Sequence, residues 1–188
     1  MDLRPLVRDL NSRNVNGRSM SKVNIFKVMV VDRQKAIQIP IGVRLLVRRI
    51  CVSILKYENI DFDCDVCVTF VDNEYIHSLN KQYRGIDAPT DMLSFPSSEN
   101  GEYEVNPETG AKFLGDIVIS IEKAAEEAKL ERTTIQEKVM FWVAHSLLHL
   151  LGYDHNDDSE MTKMNDICDK MVHVVGDPYT KFRLDTVV

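Results

Sequence analysis

Three of the five histidines fall within eleven residues, in the segment His145-Ser-Leu-Leu-His149-Leu-Leu-Gly-Tyr-Asp-His155. Thr134-x-x-Glu137 upstream is a capping-box signature for a helix entering this segment, and Gly152 supplies a residue that tolerates left-handed backbone at its end. His145 and His149, four apart on such a helix, project from one face a turn apart. Two imidazoles so placed reach a single cation, as in helical zinc sites, and the reversal at Gly152 returns His155 toward the same point. Zinc is the expected metal, one per chain, although nickel, copper and iron also accept imidazole. No fourth protein ligand is evident nearby, which implies an open coordination position holding water. Asp154, Asp157 and Asp158 leave a closed structural site as the alternative. A dication among three neutral ligands keeps its full charge, lowers the pKa of bound water toward ~7 and attracts anions. The chemistry implied is hydrolysis of a charged ester. Position 146 is Ser and not the Glu of an HExxH protease, so peptide hydrolysis is disfavoured.

Cys64 and Cys67 form a CxxC, but Cys64-Asp-Val-Cys-Val-Thr-Phe-Val71 alternates as a strand does. Residues three apart in a strand point to opposite faces, so the pair does not converge on a metal or a disulfide. Cys51 and Cys168 complete no framework either, which suits a reducing compartment.

The elements that position the histidines follow from periodicity. A strand is predicted over Val23–Val31, then a helix initiated by Pro40 with Val43, Leu46, Val47, Ile50, Ile54 and Tyr57 on one stripe. A strand over Cys64–Val71 runs into Asp72, the N-cap of a helix that ends at Gly85. Leu93–Phe95 and Leu114–Ser120 are two more short strands, and helices follow over Ile121–Glu131, Thr134–Leu151 and Asp158–Val175. The expectation is a single α+β domain over residues 21–175, with a small, mostly mixed sheet of about four strands packed with about five helices. Residues 1–20 read as a disordered leader because they carry no sustained periodicity, and 176–188 as a flexible tail set off by the helix breakers Gly176-Asp177-Pro178.

Bulk properties set the outer limits. At 188 residues the chain suits one domain with a sizeable core. Its apolar runs fall far short of the ~20 residues that cross a bilayer, and no apolar block follows Arg4, Arg8, Arg13 and Arg18 as a secretory signal requires. A cytoplasmic protein is expected. The formal charge of −6 speaks against a nucleic-acid binder until it is read by segment. Arg33, Lys35, Arg44, Arg48, Arg49 and Lys56 make a +6 window without an acidic residue, whereas the stretch from Tyr57 onward is strongly acidic. That helix face either binds nucleic-acid phosphates or balances acidic neighbours.

The histidine segment resembles the signature H-[GS]-x-L-H-L-x-G-Y-D-H of the YbeY family of bacterial and organellar endoribonucleases, matching at every fixed position. Leu79-Asn-Lys-Gln-Tyr-Arg84, Asp87-Ala-Pro-Thr-Asp-Met-Leu-Ser-Phe-Pro96 and Leu114-Gly-Asp-Ile-Val-Ile-Ser120 agree as well, so the resemblance runs roughly from Val23 to His173. It implies a zinc held by His145, His149 and His155, and metal-dependent cleavage of single-stranded RNA in the maturation of ribosomal RNA 3′ ends and in ribosome quality control. It also implies the ribosome or its assembly proteins as partners, with no membrane and no DNA. Arg84 matches the arginine that the family needs for RNA processing. A guanidinium suits that role because it stays charged and grips two phosphate oxygens at once. Asp87 and Asp91 are expected to shape the loop and not to ligate metal. Asp116 is a weak candidate for a supporting role, and His77 and His173 lie outside the signature. Two other readings stay open on the residues alone: a ribosome-assembly factor whose zinc is structural, and a metallohydrolase of another ester.

Overall fold

Val66, Val68 and Phe70 alternate with half-buried Asp65, Cys67 and Thr69 along one strand, so one face of the sheet is committed to a helical layer. The computed structural model describes residues 23–98, 102–154 and 157–176. Within them the chain order is β1 (Phe26–Asp32), α1 (Val43–Tyr57), β2 (Cys64–Val71), α2 (Asn73–Arg84), β3 (Met92–Pro96), β4 (Glu104–Val105), β5 (Lys112–Ser120), α3 (Ile121–Glu131), α4 (Ile135–Leu150) and α5 (Asp158–Gly176). The sheet runs β1-β2-β5-β3, with β4 also on β5. The β1–β2 and β2–β5 pairs are parallel, and β3 and β4 are antiparallel to β5. The parallel pairs require crossover connections, which α1 and α2 provide.

The main core lies between the sheet and α1, α4 and α5, and includes Val47, Ile50, Val68, Phe70, Ile117, Ile119, Val143 and Leu147. A smaller cluster of Val71, Ile76, Leu93 and Val118 sits under α2. Val118 lies between Ile117 and Ile119 along β5, so α2 and α4 occupy opposite faces of the sheet. The N-termini of α2 and α3 are tied together, with Asn73 N–H donating to Glu122 Oε2 (2.6 Å) and Ser120 Oγ donating to Asn73 Oδ1 (2.7 Å).

The α+β reading and the five helices hold, and three details change. The sheet has five strands and not four. β4 is two exposed residues held by pairing with Phe113 and Lys112, too short to leave a period. α1 begins at Val43 and not at Pro40. Before it, the side chain of Gln34, only 9% exposed, donates to Asp32 Oδ1 and the Ile37 carbonyl and accepts from Ile37 N–H. That knot shapes the loop, Gly42 enters the helix in left-handed conformation (φ 89°), and the Pro40 carbonyl accepts from Val43 N–H at 3.3 Å. Finally, β1 starts at Phe26, later than Val23. The leader expected over 1–20, and the tail beyond Gly176, fall outside the described residues.

Candidate metal centre

α4 is built to hold its histidines still. Thr134 Oγ1 accepts from Glu137 N–H (3.1 Å) while Glu137 Oε2 accepts from Thr134 N–H (3.0 Å), closing the capping box. Ten of its sixteen residues are buried, so the helix is gripped nearly all round and not along a single stripe. His145, only 7% exposed, stacks on Phe141 with ring centroids 6.3 Å apart.

The end of α4 forms a Schellman turn. Gly152 takes φ 92°, its N–H donates to the His149 carbonyl (3.0 Å), and Tyr153 N–H reaches back to the Leu148 carbonyl (3.0 Å). This reversal brings the Tyr153 carbonyl within 2.9 Å of His149 Nδ1. A carbonyl only accepts, so Nδ1 carries the proton and Nε2 keeps its lone pair. His149 Nε2 lies 3.2 Å from His145 Nε2, with the rings at 73°. Two nitrogens bound at about 2.0–2.1 Å to one tetrahedral ion are separated by roughly 3.3 Å, so the pair fits a zinc-sized cation. Among the described residues no third His, Cys, Asp or Glu joins them. His155 lies outside the described residues.

The Tyr153 side chain leaves the turn and donates from its hydroxyl to Glu58 Oε2 on the residue that caps α1, at 2.7 Å. Burial, and then the hydrogen bond to Glu58, push the Tyr153 phenol up to about 12. Neither residue stood out in the sequence as a supporting group. Tyr153 lies inside the histidine motif, but Glu58 is 95 positions away and carries no local signal.

Arg84 closes α2 on the other face of the sheet, exposed and followed by left-handed Gly85 (φ 72°). None of the acidic side chains of the described residues forms an ion pair with it. The loop leaving Arg84 is pinned at both ends. Asp87 receives hydrogen bonds from Lys81 Nζ and His77 Nε2, both at 2.7 Å, and these partners hold its carboxyl below the usual carboxylate range. Asp91 accepts from Thr90 Oγ1 and Met92 N–H, as the loop-shaping reading expected. Met92 then accepts from Ser146 Oγ at 3.2 Å, beside His145. The neighbours of both thus touch β3, the last strand of the β1-β2-β5-β3 order: Ser146 next to His145 through Met92, and Tyr83 next to Arg84 through an edge-on contact with the Phe95 ring (centroids 5.1 Å apart).

A family assignment now rests on both motif and fold. The family model described as Endoribonuclease YbeY matches residues 29–176. The chain belongs to this family. Among YbeY relatives, the endoribonuclease YbeY of Caldanaerobacter subterraneus subsp. tengcongensis is 40% identical over 79% of this chain and 97% of its own length. The Thermoanaerobacter sp. strain X514 protein of the same name is 41% identical over 74% of this chain and 91% of its own. The solution structure of TM1509 from Thermotoga maritima aligns with a TM-score of 0.53 at 28% identity, covering 79% of this chain and 88% of that one.

Asp116 and the CxxC cysteines also take definite places in this YbeY chain. Asp116 lies mid-strand and faces away from α4. The register of β5 against β2 shifts by one residue at Leu114, so Leu114 and Ile117 both face the main core and Asp116 turns to the α2 side. There it lines a groove of about 390 Å³ with Arg33, Cys67, Thr69, Tyr75 and Tyr83. The CxxC divides as expected, with Cys64 buried and Cys67 on the opposite face of β2, and Cys51, Cys64, Cys67 and Cys168 are all free thiols. Burial raises each of them, Cys64 and Cys168 to about 12, which makes them poor nucleophiles and ligands. No helix of the described residues is long and apolar enough to cross a membrane.

Proposed function

We propose that this chain is a metal-dependent endoribonuclease that cuts single-stranded RNA, holds one zinc on His145, His149 and His155, and uses Arg84 on the phosphate. The observation that carries the metal reading is the 3.2 Å approach of two imidazole Nε2 atoms, one with its tautomer set by the Tyr153 carbonyl. Membership of the endoribonuclease YbeY family supports RNA as substrate. The proposed setting is the maturation of ribosomal RNA 3′ ends and ribosome quality control in the cytoplasm, with the ribosome or its assembly proteins as partners.

Bound there, a divalent cation supplies Lewis acidity toward a phosphodiester oxygen. The chain does the rest. His149 Nδ1–H on the Tyr153 carbonyl keeps Nε2 available at any pH at which the ring is neutral. Burial of His145 against Phe141 limits its rotation. Exposed Arg84 offers a fork of donors to the nonbridging oxygens, where charge grows during cleavage. The loop that follows Arg84 is held in turn by the hydrogen bonds of Asp87 and Asp91.

The test is cleavage of a defined single-stranded RNA by purified protein, with metal content measured in the same preparation. The expected outcome is about one zinc per chain, with both zinc and cleavage lost in His149→Ala. Cleavage that persists in His149→Ala, or zinc without cleavage in the wild type, contradicts the proposal. The second result points to a ribosome-assembly role with a structural ion.

A further inference from the structure

His149 is oriented through its backbone acceptor, and that acceptor is itself held from three sides. Tyr153 N–H is bound to the Leu148 carbonyl, its carbonyl receives His149 Nδ1–H, and its ring reaches across to α1, where the hydroxyl donates to Glu58 Oε2 at 2.7 Å. Glu58 is equally anchored, since it is the C-cap of α1 and its N–H donates to the Ile54 carbonyl at 2.9 Å. The result is a continuous connection from the end of one helix, through a phenol and a peptide carbonyl, to an imidazole at the end of another. Without the Glu58 contact, the Tyr153 carbonyl is held only by the backbone hydrogen bonds of the turn, and the glycine before it leaves other conformations within reach.

We propose that Glu58 and Tyr153 are positioning residues of the histidine centre, whose hydrogen bond holds the Tyr153 carbonyl on His149 Nδ1 and so presents Nε2 to the cation. The inference rests on the reading of His149 as a metal ligand. It adds that ligand geometry is governed from α1, by a residue outside the histidine motif. Partners of this kind, which orient a ligating imidazole through its second nitrogen, change metal affinity by about 10–100-fold when removed.

Tyr153→Phe deletes one oxygen and keeps ring and backbone. Zinc affinity measured against a chromophoric chelator should fall roughly tenfold in Tyr153→Phe and in Glu58→Ala. Glu58→Gln retains an acceptor oxygen and should restore most of the affinity, and the double variant Glu58→Ala/Tyr153→Phe should be no worse than the worse single. In metal-free protein, imidazole 15N shifts should report a single Nδ1–H tautomer for His149 in the wild type and a tautomer mixture in Tyr153→Phe. Wild-type zinc affinity and an unchanged tautomer in Tyr153→Phe would overturn the inference. So would an affinity loss that Glu58→Gln fails to recover, since the acceptor oxygen at that position would then not be what holds the turn; a plain packing strut between α1 and α4 would instead lose affinity in Glu58→Ala and keep it in Tyr153→Phe. If the wild type binds no zinc at all, it is the proposed function that fails, and the metal-free tautomer still decides whether Glu58 and Tyr153 orient His149.

Discussion

At the level of single residues, His145 and His149 differ from Arg84 in what surrounds them, and the difference separates their expected effects. The imidazoles are packed into a buried helix and one is tied to a backbone carbonyl, so they belong to a site that must be rigid. Arg84 is exposed at a helix end, and no carboxylate of the described residues competes for it. It is available to an anionic ligand and contributes little to holding the fold. Arg84→Ala is therefore expected to reduce RNA cleavage by about 10²–10³-fold, the range seen when one donor to a developing oxyanion is removed. Zinc content and thermal unfolding should stay at wild-type values. Cleavage within a few-fold of wild type would return Arg84 to the role of a surface residue closing α2. Asp87 beside it serves differently, since its bonds to Lys81 and His77 shape the loop, in keeping with the structural reading of its carboxylate.

At the level of elements, two short features carry more weight than their length suggests. Gly115 sits in β5 with φ 138° just past the bulged Leu114, and a Cβ there would collide with the Phe95 carbonyl of β3. Relief requires β3 to move from β5, and β3 is the strand that the Arg84 loop and the histidine helix flank. Gly115→Ala should destabilise the protein by about 1–3 kcal/mol in urea unfolding and weaken cleavage together with it. Stability equal to wild type would mean that β3 can shift freely. The second feature is the capping box of α4. Hydrogen bonds from the Thr133 hydroxyl, and then from Thr134, hold the Glu137 carboxyl below its ordinary value. A lowered folded value means that the carboxylate stabilises the fold above the ordinary carboxylate range and loses that effect as pH falls through the folded value. Glu137→Ala should then cost about 1 kcal/mol at neutral pH, a typical capping magnitude, and the gap to wild type should close below about pH 4. A gap that stays constant down to about pH 3 would assign the cost to packing instead.

At the level of the whole molecule, the −6 balance hides an uneven distribution, and the fold shows how much of the basic window remains for a ligand. Arg44 on α1 pairs with Asp32 at 3.6 Å, and Arg48 and Arg49 are half-buried against neighbouring elements. The +6 stretch is thus partly used within the protein, and the acidic remainder repels phosphate. RNA contact is expected to rest on few cations, Arg84 among them. Affinity for a short single strand should fall with salt at a log–log slope of about −2, as for two to three phosphate contacts. A slope steeper than about −4 in fluorescence titrations would mean that the α1 face binds RNA broadly after all.

Much of this protein was readable along the chain. The helices follow from stripes, caps and glycine stops, and the His145–His149 pair follows from one helical turn, because all of these are short-range consequences of backbone geometry. Domain class follows from the order of such elements. The start of α1 escaped because buried Gln34 holds the loop before it, and β4 escaped because its two residues exist only through pairing with β5. The place of Asp116 escaped because a one-residue bulge reverses which face a strand position occupies. Glu58 meets Tyr153 across 95 positions, and the order β1-β2-β5-β3 joins strands distant along the chain. Contacts of that kind depend on how layers pack, and packing is a property of the folded chain that no local run of residues encodes.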